Sequence, residues 1–227
     1  MKTKSRLTIL YLVFVLALCL GIVRGAAGFV EDFDNAQSGA IPAGWEGKGD
    51  LKATCAVVDK SVIVPHSPPY CLKMADDSPS TAVQFSKGFG DLAMGTIRFA
   101  AYIPSAFPAD MFCTFTKSGE KIFDMTLSPA GNVKYRNQAG SLQEAAKYTQ
   151  DAWHVVAISW DCGTGQFSLA VDGNTIGEYP LIKNAVPDMI ELKVGSGSKV
   201  GQVGYLDSVE LIDDAHLQVG GLAVLAR

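Results

Sequence analysis

The chain is predicted to be all-β, a two-sheet antiparallel β-sandwich or jelly roll, and three observations predict it. Apolar and polar residues alternate with period two over many short segments. Gly, Pro, Asn, Asp and Ser interrupt those segments at short intervals. Almost nothing after residue 28 reads as helix, so the apolar face of each sheet has only another sheet to bury against. At 227 residues, 48% hydrophobic and 19% charged, the composition is that of a globular protein with room for one ordinary core.

Lys2, Lys4 and Arg6 precede an apolar run from Leu7 to Val23, and the small residues Gly25, Ala26 and Ala27 follow it. That layout is a secretory signal peptide over residues 1–27, with a retained anchor as the competing reading because the run approaches spanning length. A lipoprotein site at Cys19 is disfavoured by Leu18, where a small residue is expected. Residues 28–215 then form one domain, and the apolar segment 216–227 is a tail or a last strand. The expected location is secreted or extracytoplasmic, with no membrane attachment once the leader is removed. Net charge is −4 and the 19 Lys and Arg residues are dispersed, so nucleic acid is not an expected partner.

The first clear strand is "TIRFAAYIP", in which Ile97, Phe99, Ala101 and Ile103 share one face. "MFCTFTKSG" and "KIFDMTLSPAGNVKYRNQ" follow, the second broken by "SPAG" into a hairpin of Phe123 to Leu127 with Val133 to Arg136. Helix formers collect only in "SLQEAAKYTQ", where one helical turn is expected around Leu142 to Lys147. From Trp153 the chain returns to strand: "WHVVAISWD", a turn at "CGTG", "QFSLAVDG" and "NTIGEYPL". In the first of these His154, Val156, Ile158 and Trp160 share a face; Asp172-Gly173 is a tight-turn signal. "IELKVG" and "VGYLDSVELID" close the fold.

Of five cysteines, Cys19 departs with the leader, leaving Cys55, Cys71, Cys113 and Cys162. An even number in an exported chain suggests two disulfides, and of the three pairings Cys55 with Cys71 and Cys113 with Cys162 is favoured. Free buried thiols are the alternative. Zinc-type spacing is absent, and His66, His154 and His216 lie far apart in the sequence.

Trp153-His154, a strand, a glycine turn and "FSLAVDG" together resemble the paired central strands of the concanavalin A-like lectin and glucanase superfamily, especially its laminin G-like and pentraxin-like jelly rolls. "EDFDNAQSGAIPAGW" and "GYLDSVEL" resemble the first and last strands of secreted bacterial members. The resemblance implies that the terminal strands lie side by side and that carboxylates there hold a structural calcium ion. Among Glu31, Asp32, Asp34 and Asp207, the best matches are Asp34 and Asp207; solvated strand ends are the alternative. His154 matches the place where such proteins pack a histidine beside tryptophan.

The superfamily contains lectins, hydrolases, lyases and adhesion domains, so activity must be read from sites. The ExDxxE string of its laminarinase-type hydrolases is missing, as are the RxExR and QIH strings of its alginate lyases. Arg98, Tyr102, Tyr135, Arg136 and His154 could be assembled into a lyase site, but water-facing arginines and a packing histidine account for them more simply. "GSGSKVG" lacks the spacing and the following helix of a phosphate loop, and no GxSxG turn occurs. Sugar binding needs aromatic faces and fixed amides, for which Tyr102, Tyr135, Asn137 and Gln138 are the candidates, with Trp45 and Tyr148 behind them. The expectation is a secreted, non-catalytic recognition domain for a carbohydrate or an extracellular protein. The alternatives are a polysaccharide-cleaving enzyme and a structural or adhesion protein.

Overall fold

A computed structural model describes residues 28–36, 41–48, 55–79, 81–195 and 200–214. In chain order its strands are β1 (Phe29–Glu31), β2 (Glu46–Lys48), β3 (Cys55–Asp59), β4 (Tyr70–Asp76), β5 (Val83–Gly88), β6 (Met94–Tyr102), β7 (Met111–Lys117) and β8 (Glu120–Ser128). They continue with β9 (Asn132–Arg136), β10 (Leu142–Lys147), β11 (Trp153–Asp161), β12 (Gln166–Val171), β13 (Asn174–Pro180), β14 (Met189–Val194) and β15 (Gln202–Asp213). One sheet has the order β13-β12-β11-β6-β15-β4-β3, with β1 also on β15; the other has the order β10-β9-β8-β7-β14-β5-β2. Every ladder is antiparallel. The predicted two-sheet sandwich is therefore what forms. The proposed leader 1–27 and tail 216–227 lie outside the described residues.

Period-two alternation sends one set of side chains from each sheet into a shared core. Ile97, Phe99, Ala101, Val156, Ile158 and Trp160 enter from the eight-stranded sheet, and Met111, Cys113, Phe115, Phe123, Met125 and Leu127 enter from the other. The two layers meet in an aromatic cluster. Phe123 stacks between Phe115 and Phe167, at centroid distances of 4.4 and 5.0 Å, and Trp160 lies 4.8 Å from Phe115. The Trp160 indole N–H donates to Leu92 O at 2.9 Å, so its polar end is satisfied inside the core. Gly95 must remain glycine because a Cβ there would lie 2.8 Å from the Trp160 ring and 2.7 Å from Leu92.

The hairpins follow the turn signals. β12 and β13 pair from Val171 opposite Asn174, leaving Asp172 and Gly173 as a two-residue turn in which both have positive φ (52° and 77°), as a type I′ turn requires. Asp172 Oδ1 accepts the Val155 amide at 2.9 Å, and its Oδ2 lies 2.7 Å from His154 Nδ1. His154 is buried, with Nε2 2.7 Å from Thr149 O, so this histidine braces a turn. The expected hairpin of Phe123–Leu127 with Val133–Arg136 is the β8–β9 pair. Leu142–Lys147 is a correction: it forms edge strand β10 on β9, because pairing with an open sheet edge outweighs the modest helix propensity of a six-residue segment.

The disulfide expectation is also corrected. Cys71, Cys113 and Cys162 are free thiols. Cys55 pairs with Met74 in the ladder while Cys71 pairs with Val58, a three-residue offset of roughly 10 Å along the strand, beyond the ~7 Å limit for bridging. Cys113 is sealed in the core from the seven-stranded sheet, whereas Cys162 lies just beyond β11 and points its thiol at Ala185 O. Burial pushes the Cys71 thiol up to about 12, helped by the nearby Asp207 charge.

Two outcomes are expected. Phe123→Ala removes the central ring of the cluster and lowers stability by about 3–5 kcal/mol, measured by chemical denaturation. Reductant leaves Tm unchanged, whereas a drop of the size that loss of a native disulfide causes would overturn the free-thiol assignment.

Candidate functional site

The outer face of the seven-stranded sheet is built from the residues that alternate with its core positions. The registers align them in two rows across the strands. One row runs Asp124 (β8), Thr114 (β7), Glu191 (β14), Ser86 (β5) and Glu46 (β2). The next runs Glu144 (β10), Lys134 (β9), Thr126 (β8), Phe112 (β7), Lys193 (β14), Gln84 (β5) and Lys48 (β2). Seven strands at about 4.8 Å spacing make this strip roughly 29 Å wide.

Although these positions point away from the core, several are buried: Asp124 and Thr126 are 0% exposed and Thr116 is 2% exposed. Long basic side chains lie over them. Lys121 Nζ and Arg136 Nε both donate to Asp124 Oδ2, at 2.8 and 2.9 Å, and Arg136 Nη1 also donates to Gly140 O at 2.7 Å. Lys193 lies 4.3 Å above the Phe112 ring. Burial and the neighbouring Lys121 charge push its ammonium below the usual lysine value, with Arg136 adding to the fall and Asp110 and Asp124 opposing it.

Lys121 reaches this face because of a β-bulge. In a regular strand it would point with Phe123 into the core. The β7–β8 register jumps from Phe115 opposite Phe123 to Thr116 opposite Lys121, leaving Ile122 as the extra residue, so Lys121 and Asp124 share a face. Three polar atoms under the cover have no hydrogen-bond partner among the described residues: Thr116 Oγ1, Asp124 Oδ1 and Thr126 Oγ1. Each buried unsatisfied group costs on the order of 1–3 kcal/mol, and nothing in the fold requires that cost.

The residues expected to bind ligand are not brought together. Tyr102 lies on the outer face of the other sheet, between Trp153 and Tyr205 at centroid distances of 5.6 and 5.9 Å. Tyr135 points inward and stacks on Tyr179 at 3.8 Å. Asn137 braces the β9–β10 turn, its Oδ1 accepting the Ser141 amide at 2.9 Å, and Gln138 Nε2 donates to Leu181 O at 3.1 Å. Trp45 and Tyr148 are buried, the latter with its hydroxyl on Ser128 O at 2.7 Å. Arg136 is not water-facing but paired with Asp124. Asp124, Thr116, Thr126 and Lys193 escaped the sequence reading; their only signal was polar alternation in "TFT", "DMT" and "ELK".

A cavity of about 460 Å³ lies on the outer face of the eight-stranded sheet, lined by Thr96, Ser159, Asp161, Ser168, Glu178 and Asp214 among others. Its hydroxyls already serve the fold: Thr96 Oγ1 lies 2.8 Å from Ser159 Oγ and donates to Asp214 Oδ2 at 2.5 Å. It is the weaker candidate.

The terminal strands lie side by side, Phe29 opposite Leu211 and Glu31 opposite Val209, as the resemblance implies. Asp207 is fully buried, accepting the Ser67 amide on Oδ2 at 2.6 Å and the Ser208 amide on Oδ1 at 2.7 Å; Asp34 Oδ1 accepts the Tyr70 amide at 3.4 Å. Glu31 is engaged by the Phe33 amide and the Trp45 indole, and Asp32 by the Asp34 amide. Among the described residues no group of three or more His, Cys, Asp and Glu side chains gathers as a metal site. Burial raises the Asp207 carboxyl to about 6, against the pull of the two amides and His66.

Fold and face together define a two-sheet jelly-roll-type sandwich with a polar strip across one sheet. No family model matches the sequence, and no curated protein is significantly similar to it. Similar solved structures include a sialidase (13% identity, 84% of this chain and 19% of that one, TM-score 0.68). A protein described among endo-acting O-glycanases of the human gut microbiota that initiate mucin breakdown is 14% identical, over 82% of this chain and 98% of that one, with TM-score 0.59. The alginate lyase vAL-1 from Chlorella virus is 12% identical, over 75% and 93%, with TM-score 0.51. At these identities the likeness establishes the shared β-sandwich.

The Asp207 environment gives a pH dependence with a definite sign. The folded carboxyl holds its proton to about pH 6 while the unfolded one releases it near 3.8, so this group lowers stability as pH rises through that window. Denaturation of Asp207→Asn between those pH values should show a shallower fall than the parent; an identical slope would contradict the assignment.

Proposed function

We propose that the chain is a non-catalytic carbohydrate-binding domain whose ligand lies across the outer face of the seven-stranded sheet. The observation that carries this reading is the set of three buried, unpartnered polar atoms, Thr116 Oγ1, Asp124 Oδ1 and Thr126 Oγ1, on a face directed away from the core. Sugar hydroxyls both donate and accept, so one chain of sugars crossing neighbouring rows can satisfy the threonine hydroxyls and the carboxylate oxygen on this face. Phe112, partly exposed on β7, offers the part of its ring that Lys193 does not cover to the apolar side of a pyranose. The cover over the buried atoms includes Lys121 and Arg136, side chains that can move aside without disturbing a strand.

Binding fits this face better than turnover. Asp124 is the buried carboxylate at its centre, and one of its oxygens is committed to two cations, which leaves it poorly placed to shuttle a proton. Recognition of a carbohydrate outside the cytoplasm accords with the leader-like segment at residues 1–27. The similar structures, several of them named as carbohydrate-active, make a sugar ligand the natural first choice for this surface.

Thr116→Val and Thr126→Val test the reading directly, since each replaces an unpartnered hydroxyl by a methyl of the same shape. Stability should hold or rise by about 1 kcal/mol, while glycan binding on a broad polysaccharide panel weakens several-fold. Unchanged binding in both variants, or no binding by the parent protein to any glycan, would sink the proposal.

A further inference from the structure

The glycan-binding reading leaves the class of sugar open, and the charges on the same face narrow it. Lys121 and Arg136 share a single oxygen of Asp124. Lys193 approaches from β14, separated from β8 by β7, and its field reaches Lys121, Arg136, Asp110 and Asp124. Lys134 stands beside Thr126 in the ladder. The carboxylates facing the group are Asp124, Asp110, Glu191, two residues along β14 from Lys193, and Glu144, opposite Lys134 in the ladder.

Within this group Lys193 is the unusual member. Its stem is half-buried and its ammonium sits over the Phe112 ring, with no hydrogen-bond acceptor of its own among the described residues. A lysine held partly out of water, beside two other cations, is costly for the free protein and is relieved by an arriving anion. A neutral sugar could satisfy Thr116, Thr126 and Asp124, but it would leave that like-charge crowding as it was.

We infer that the ligand of this face is an anionic glycan, a polysaccharide bearing carboxylate or sulfate groups, and that Lys193 is the residue that selects it. The inference rests on glycan binding at the seven-stranded sheet. Thr116, Thr126 and Asp124 Oδ1 read hydroxyls; Lys193 reads the charge; Arg136 presents the edge of its guanidinium that Asp124 and Gly140 do not occupy. The attraction is electrostatic at a partly exposed site, so it weakens as salt rises.

The experiment measures binding of three sets of oligosaccharides of equal length: uronate-containing, sulfated galactan and neutral β-glucan. At least one charged set should bind about ten-fold tighter than the neutral set, and the difference should shrink between about 0.05 and about 0.5 M salt. Preference for the uronate set assigns a carboxylate ligand, and preference for the galactan set assigns a sulfate. Lys193→Gln should abolish the preference, Lys193→Arg should retain it, and Lys73→Gln, on the outer face of the other sheet, should leave it unchanged. Equal affinity for neutral and charged sugars, or a Lys193→Gln protein that binds as the parent does, overturns the anionic assignment while glycan binding stands. No binding to any set overturns both.

Discussion

The structure depends on one constraint: two sheets with no helix among the described residues to cover them must bury their apolar faces against each other. Phe123 stacked between Phe115 and Phe167, with Trp160 alongside, is where that burial is densest. These rings come from β7, β8, β11 and β12, two strands of each layer, so the cluster fixes the layers face to face. Once it is formed, alternation leaves no freedom about which side chains turn outward.

What turns outward differs between the two sheets. On the eight-stranded sheet Thr96, Ser159 and Asp214 bond to one another and Asp207 takes two backbone amides, while Gln202 Oε1 at the start of β15 is buried without a hydrogen-bond partner among the described residues. On the seven-stranded sheet, buried hydroxyl and carboxylate oxygens are left over, and cations crowd above them. A sheet optimised only for stability would carry valine at Thr116 and Thr126. Retaining polar atoms there at a cost to folding is the pattern expected of a binding surface.

The bulge at Ile122 links the two faces. It admits an extra apolar residue to the core, where Ile122 is fully buried, and in the same step rotates Lys121 outward to Asp124. A change of a single residue in strand length thus places a cation on the candidate site. A core this continuous needs no covalent ties, and the ladders hold Cys55 and Cys71 three positions out of step.

The sequence by itself determined the architecture and the hairpins at Asp172-Gly173 and between Phe123 and Arg136. Each of these is either local or a direct consequence of period-two burial, so the residues concerned announce themselves. Only the tertiary structure decided that Leu142–Lys147 is an edge strand, that Tyr135 faces the core, and that Asp124, Thr126, Arg136 and Lys193 meet. Alternation says which side chains share a face of one strand, but it is silent on which strands become neighbours. The order β9-β8-β7-β14 brings residue 193 within the field of residue 124 across a gap of 69 positions, and no local pattern encodes that order.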